Sequence, residues 1–269
     1  MKKQTRFIGI ISVLALVVVF VFSATAIGKE KGEGKDEGKE KGKGGREDWV
    51  IMTYVPDNGY TVPVPLPVEK SGKGVAFDFY ATPDRAVLLN SDMDTKKYHE
   101  GDLSGKTLSA KISIKATPGA TFNYFNNDTG NADPGGFVHL YFQTGSTTPW
   151  DPSKPAVEAK YWWSNPVHVD LNDLAALGKK GIKIEVPLDP GSWSDRDGHM
   201  GTSAPVIGGT TYDHTILFNK ATEQVAKAGL SFGGAGWWAF GCGVNAPGDA
   251  VFKLDQFEVK KTKPNNAVP

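Results

Sequence analysis

The sequence predicts an all-β fold, a jelly-roll β-sandwich that follows a signal segment and a disordered charged linker. Its 32 glycines and 17 prolines indicate many turns. Many short stretches carry strand patterns, whereas only residues 173–179 and 218–229 have a helical pattern. A hydrophobic content of 39% is enough for a globular core. Together these features favour one β-sandwich over residues 48–261.

Residues 1–26 are predicted to be a signal peptide. A basic start at residues 2–6 precedes an almost wholly apolar run at 7–22, and 24–26 form an A-x-A cleavage site. A retained membrane anchor is the alternative, because the segment extended through Ile27 is barely long enough to span a bilayer, which needs about 20 residues. Either alternative places the rest of the chain outside the cytoplasm, secreted or at the cell surface.

Residues 27–47 form the predicted disordered linker, since they consist almost entirely of glycine, lysine and acidic residues. With so little apolar surface to bury, such a segment cannot offset the entropy of ordering. Residues 262–269 are predicted to be a disordered tail. The whole chain balances 30 basic against 30 acidic residues, which gives no reason to expect nucleic acid as a partner. Cys242 is the lone cysteine, so an internal disulfide and a thiolate zinc cluster are excluded.

Within the folded part, residues 106–116 show the clearest strand pattern. Apolar and polar side chains alternate there with period two, as in a half-buried strand. Residues 62–68 alternate proline with apolar residues, which predicts an edge segment or a covering strap because proline donates no ladder hydrogen bond. Further strands are expected at 74–81, 137–143, 159–164, 181–188, 229–234, 236–244 and 250–261.

Two phrases resemble galactose-binding-like jelly-roll domains of the carbohydrate-binding-module type. They are DLSGKTLSAKISI at 102–114, similar to an early strand of those domains, and AVFKLDQFEV at 250–259, similar to their last strand. The phrases YWWSNPV, GSWSDRDGHMG and GLSFGGAGWWAFGCGV are also similar to an exported bacterial domain of unassigned function. The resemblance implies a fold more firmly than a ligand. It also implies that Asp255, in the acidic position of the last strand, helps to bind a structural calcium ion.

Two pairs of adjacent tryptophans carry the main functional hypothesis. Neighbouring strand residues point to opposite faces, so one ring of Trp162/Trp163 and one ring of Trp237/Trp238 should point away from the core. We take Trp163 and Trp238 as the candidate outward rings, on which the apolar face of a sugar would pack. The alternative is that each outward ring is covered by a loop or strap, since large apolar residues are normally buried.

Three further residues complete the candidate ligand site. Trp150 and Trp193 lie in stretches rich in proline, glycine and aspartate, which predicts exposed loop positions. Asn165 follows the first tryptophan pair and would supply a polar partner for sugar hydroxyls.

Acidic loops suggest a metal. Asp195 and Asp197 open a stretch that matches only the beginning of a calcium loop and lacks its distal glutamate. With Asp255 they are the candidate ligands of a structural calcium ion. Ordinary turn chemistry is the alternative explanation of such runs of Asp, Asn and Gly.

The sequence therefore predicts an exported, non-catalytic carbohydrate-binding protein with a polysaccharide or glycan as partner, and with a membrane partner only if the N-terminal segment is retained. A structural or adhesive surface protein without a small ligand is the first alternative. A polysaccharide-active hydrolase is the second. It is less favoured because no zinc-protease histidine spacing, no G-x-S-x-G elbow and no paired-acid strand motif occurs in the sequence.

Overall fold

The computed structural model describes residues 49–262, apart from 58–59, 72–73, 80–84, 92–100, 127–130, 145–160, 196, 208, 236–240 and 246. The predicted signal peptide and the charged linker lie outside these residues, as do Trp150, Trp237, Trp238 and all but the first residue of the predicted tail. Within the described part of the chain, no helix is both long and apolar enough to cross a membrane.

Strands dominate the described residues. They are β1 (Trp49–Asp57), β2 (Tyr60–Pro67), β3 (Glu69–Ser71), β4 (Gly74–Asp78), β5 (Arg85–Ser91), β6 (Lys106–Ala116), β7 (Phe122–Asn126), β8 (Asn131–Pro134), β9 (Phe137–Thr144), β10 (Tyr161–Ser164), β11 (Val169–Asp170), β12 (Ile182–Pro187), β13 (Trp193–Asp195), β14 (Val206–Ile207), β15 (Thr210–Thr211), β16 (Val225–Gly233), β17 (Cys242–Val244) and β18 (Ala250–Lys261). The helices are α1 (Leu171–Leu177) and α2 (His214–Glu223), and 3₁₀ turns lie at Gly178–Lys180 and Pro190–Ser192.

These strands form two antiparallel sheets and a small hairpin of β14 and β15. The larger sheet has the strand order β13-β10-β9-β16-β5-β17-β7-β8, with β1 and β2 added beside β5 and β11 beside β9. The smaller sheet has the order β12-β6-β18-β4-β3. The proline-rich β2 pairs with β1 alone among the described strands, which confirms the predicted edge segment.

A single core lies between the two sheets. From the smaller sheet, Phe77 and Phe252 contact Phe232 of the larger sheet, with ring centroids 5.7 and 5.1 Å apart. In β6 the apolar side chains face this core and the intervening lysines face outward, as the alternation predicts. The predicted all-β sandwich is confirmed, because each sheet buries one apolar face against the other.

Both helices differ from their predicted bounds. The helix predicted at 173–179 begins at Leu171, because Asp170 caps it by accepting from two backbone N–H groups. The helix predicted at 218–229 begins at His214, after the cap Asp213, and ends at Glu223. Asn219, a residue type that could cap a helix at 218–229, lies inside α2 instead. Residues from Val225 onward form β16, because pairing with β9 outweighs the helical pattern.

Candidate functional site

The outer face of the larger sheet carries a group of aromatic rings. In β10 the backbone alternation sends Trp162 into the core between the sheets and Trp163 to the opposite face. Tyr141 of β9, together with the partly buried Tyr161 and Leu88, packs with Trp163 there. We call these four residues the aromatic surface. The prediction that adjacent tryptophans point to opposite faces is confirmed for this pair.

Two of the three ring pairs on the aromatic surface are nearly parallel, and the third, Tyr141 with Trp163, is inclined by 36°. Tyr161 and Trp163 have centroids 6.3 Å apart and planes inclined by 17°, and Tyr141 and Tyr161 have centroids 6.4 Å apart and planes inclined by 19°. Tyr141 is fully buried, Trp163 is 8% exposed and Tyr161 is partly exposed. Burial raises the pKa of the Tyr141 hydroxyl well above its ordinary value. The most accessible ring is therefore that of Tyr161.

Polar groups border these rings. The indole Nε1 of Trp163 donates to Ser231 Oγ at 2.6 Å, and the Tyr141 hydroxyl donates to Gln143 Oε1 at 2.5 Å. Asn165, two residues after Trp163, is partly buried and donates from Nδ2 to Ser194 Oγ at 3.2 Å. The predicted polar residue Asn165 thus lies directly after β10, the strand that carries Tyr161 and Trp163.

His139 is a buried titratable group on the strand that carries Tyr141. Its Nδ1 lies 2.8 Å from the carbonyl oxygen of Ser164, and its Nε2 lies 3.0 Å from that of Gly234. A neutral imidazole donates only one hydrogen bond, so both contacts are satisfied together only when the ring is charged. Burial nevertheless lowers the pKa of His139 below its ordinary 6.5, against the opposite effect of the two carbonyl groups.

A second group of functional side chains lies at the edge of the larger sheet. Asp195 ends β13, His199 lies in the following turn and His214 opens α2. One potential ligand atom from each lies within 4.8 Å of the others, so among the described residues these three form a group that could hold a metal ion. We call them the carboxylate–histidine cluster. Burial lowers the pKa of His214, while the Asp195 carboxylate acts in the opposite direction.

Trp193 does not occupy the predicted exposed loop position. It begins β13 and is completely buried, with its Nε1 donating to the carbonyl oxygen of Pro187 at 2.7 Å. Its ring packs against Phe142 at a centroid distance of 5.1 Å. The prediction that Trp193 is exposed was wrong, because pairing with β10 draws this short segment into the sheet. A fully buried ring offers no surface to a ligand.

The three acidic candidates for calcium are not brought to one place. Asp255 lies on β18 of the smaller sheet, and Asp195 lies on β13 of the larger sheet. Asp255 lines a cavity of about 320 Å³ together with Lys111. It also lines a second cavity of about 180 Å³, whose lining includes Lys115, Lys179 and Lys253. Among the residues that the structure describes, neither lining holds another carboxylate, and lysines supply no oxygen ligands.

Asp197 is exposed, and its backbone N–H donates to Asp195 Oδ1 at 3.0 Å. His199 and His214 were not among the predicted site residues, because the sequence has no zinc-protease histidine spacing to mark them. The Asp195-x-x-x-His199 spacing was a local signal for one of them. Nothing local marks His214, which reaches the cluster only through the packing of α2 against the sheet edge.

No family model, no curated protein and no solved structure matches this chain. The all-β sandwich stands on the structure itself, and membership of the carbohydrate-binding-module type stays a prediction.

Proposed function

We propose that this chain is an exported, non-catalytic carbohydrate-binding β-sandwich that holds polysaccharide against the aromatic surface. The observation that carries the proposal is the cluster of outward aromatic rings, in which Tyr161 is nearly parallel to both neighbours and is partly exposed. Tyr141 and Trp163 are already buried by the chain, so Tyr161 is the ring of this cluster that is left for a ligand to cover.

The chemistry around the rings suits a sugar. A pyranose ring has one relatively apolar C–H face that packs on an aromatic ring, and its hydroxyls need hydrogen-bond partners at the side. The amide of Gln143 accepts from the Tyr141 hydroxyl, and the amide of Asn165 lies directly after the strand that carries Trp163; both side chains are partly buried. An aromatic surface with a few polar groups at its margin is typical of small-molecule and glycan sites.

Affinity electrophoresis tests the proposal, with xylan, mixed-linkage glucan and galactomannan in the gel, and pull-down on cellulose and chitin. Tyr161→Ala should weaken binding about five-fold, the equivalent of about 1 kcal/mol for a ring contact, without unfolding the protein. Tyr212→Ala is the matched control, since Tyr212 is a partly exposed tyrosine in the segment before α2.

Each alternative function has its own outcome in the same experiment. Retardation by none of the polysaccharides favours a structural or adhesive surface protein. Release of reducing sugar from any of them favours a hydrolase. Equal retardation of the wild type and Tyr161→Ala moves binding away from the aromatic surface and contradicts the proposal.

Export is the second part of the proposal, and it is supported by the basic start, the apolar run and the 24–26 cleavage site. N-terminal sequencing of extracellular protein should begin at or near Ile27. A chain recovered from the cytoplasm with Met1 still in place would contradict it.

A further inference from the structure

The carboxylate–histidine cluster has the donor set of a transition-metal site. It offers one carboxylate oxygen, from Asp195, and two imidazole rings, from His199 and His214. Calcium prefers six to eight oxygen ligands, whereas zinc is bound by nitrogen and oxygen in sites of three or four protein ligands. The composition of the cluster therefore fits an ion of the zinc type and does not fit calcium.

Two distances within the cluster are close to the spacing of ligands on one ion. Asp195 Oδ2 lies 3.2 Å from His199 Nδ1, a hydrogen-bond distance, and 3.7 Å from His214 Nε2, which is too long for a hydrogen bond. Ligand atoms about 2.0–2.2 Å from a tetrahedral zinc ion lie about 3.3–3.6 Å from one another. The ligand atoms of all three residues lie within 4.8 Å of one another, so a modest contraction of the cluster would place them on a shared ion.

The Asp195 carboxylate is already oriented for this role. Its other oxygen, Oδ1, accepts from the backbone N–H groups of Asp197 at 3.0 Å and His199 at 2.8 Å. These bonds fix the carboxylate plane and turn Oδ2 toward the two rings. Hydrogen bonds of this kind, which orient a ligand from outside, are a regular feature of metal sites.

Packing presents one nitrogen of the buried His214 ring to the cluster. The residue is 2% exposed, and its ring centroid lies 6.0 Å from that of Trp162. Nε2 is the nitrogen that faces Asp195 and would bind an ion. An ion on Nε2 would leave Nδ1, which has no hydrogen-bond partner among the described residues, as it is, so the position of Nε2 beside Asp195 is what supports the site.

We infer that Asp195, His199 and His214 bind a divalent metal ion of the zinc type, with a fourth position open to water. The His199 side chain is 34% exposed, which gives an ion a route from solvent to the two buried ligands. The ion joins the turn after β13 to the first residue of α2, and so fastens α2 at the edge of the core. This site is independent of the aromatic surface.

Titration of chelator-treated, metal-free protein with Co²⁺ tests the site in the wild-type chain. A nitrogen- and oxygen-ligated Co²⁺ ion of low coordination number absorbs visible light. The absorption should saturate at an equimolar ratio. Equimolar Zn²⁺ should abolish it, and Ca²⁺ should leave it unchanged.

A pair of variants locates the site. His199→Gln should weaken Zn²⁺ binding by more than about 100-fold, because loss of even an outer partner of a ligand costs about 10–100-fold. Asp197→Asn is the matched control in the same turn and should bind Zn²⁺ as the wild type does. Zn²⁺ should raise the melting temperature of the wild type and Asp197→Asn, but not that of His199→Gln.

Three outcomes overturn the inference. They are wild-type protein that binds neither Co²⁺ nor Zn²⁺ saturably, full Zn²⁺ affinity in His199→Gln, and Ca²⁺ binding that is lost in Asp197→Asn. The wild-type titration needs no substitution, so it decides the matter even if His199→Gln fails to fold.

Discussion

The outer faces of the two sheets cover the same core but differ in chemistry. The larger sheet presents the aromatic surface, with Tyr141 and Trp163 buried on the side away from the core. The smaller sheet presents what we call the charged surface, formed by lysines and glutamates. Its members are Lys111, Lys115, Lys183, Glu185, Glu258 and Lys260.

The difference shows where function should be sought. Lysine and glutamate side chains are stable in water and leave the charged surface with no need of a cover. Tyrosine and tryptophan on an outward face are stable only when something excludes water from them. The same strand alternation therefore produces a solvated face on one sheet and an outward aromatic cluster on the other.

The largest expected difference is in stability. Trp163→Ala should lower the free energy of unfolding by about 3 kcal/mol or more, because Trp163 is 8% exposed and large-to-small changes of buried aromatics cost about 3–5 kcal/mol. Lys111→Ala on the charged surface should change it by less than about 0.5 kcal/mol. Urea denaturation of both variants measures the contrast. Equal, small effects would mean that Trp163 is not packed as described.

The next effect isolates one hydrogen bond of the aromatic surface. Ser231→Ala leaves the buried Nε1 of Trp163 without its acceptor and should cost about 1–3 kcal/mol. Ser231→Ala made in a Trp163→Phe background is the control, because no indole N–H remains there. If the loss is the same in both backgrounds, the bond does not contribute to stability.

Both the sandwich and its two faces follow from the sequence in large part. The alternation of β6 predicted its lysine-bearing outer face, and the alternation of β10 predicted opposite directions for Trp162 and Trp163. Period-two patterns support such predictions because the alternation within one strand shows which residues lie on each of its two faces.

The predictions that were wrong or incomplete concern residues whose contacts come from segments distant in the sequence. Trp193 has loop neighbours in the sequence, yet it pairs with β10 and is buried. His214 joins Asp195 only because α2 packs at the sheet edge. The helix predicted through residue 229 gave way to β16, whose pairing with β9 involves residues far along the chain. Local patterns carry no information about such partners.

As the pH falls, the protein should lose stability through a buried histidine of the larger sheet before it does so through the charged surface. Burial lowers the pKa of His139 in the folded protein, so the unfolded chain, with histidine near its ordinary 6.5, binds more protons. The stability contributed by neutral His139 is present above about pH 6.5 and is lost as the pH falls through the folded-state pKa.

Urea denaturation across a pH series from neutral to about 5 should therefore show a falling midpoint. In His139→Gln the dependence should be shallower. The part that remains belongs to His168 and His214, whose pKa values are also lowered by burial. A midpoint that rises on acidification would show that the two carbonyl groups beside His139 outweigh its burial.

The smallest effect is expected at the charged surface, for Glu185→Gln. Glu185 pairs with Lys183, and their side chains are 48% and 52% exposed. Exposed pairs gain little because water and salt screen the attraction and because two long side chains lose freedom when they pair. The free energy of unfolding should change by less than about 0.5 kcal/mol, and that difference should shrink further in high salt. Retardation by polysaccharide should match the wild type in the same variant. A cost above about 1 kcal/mol, or weaker retardation, would mean that the face with lysines and glutamates is also a contact surface, and the contrast between the two sheets would then fail.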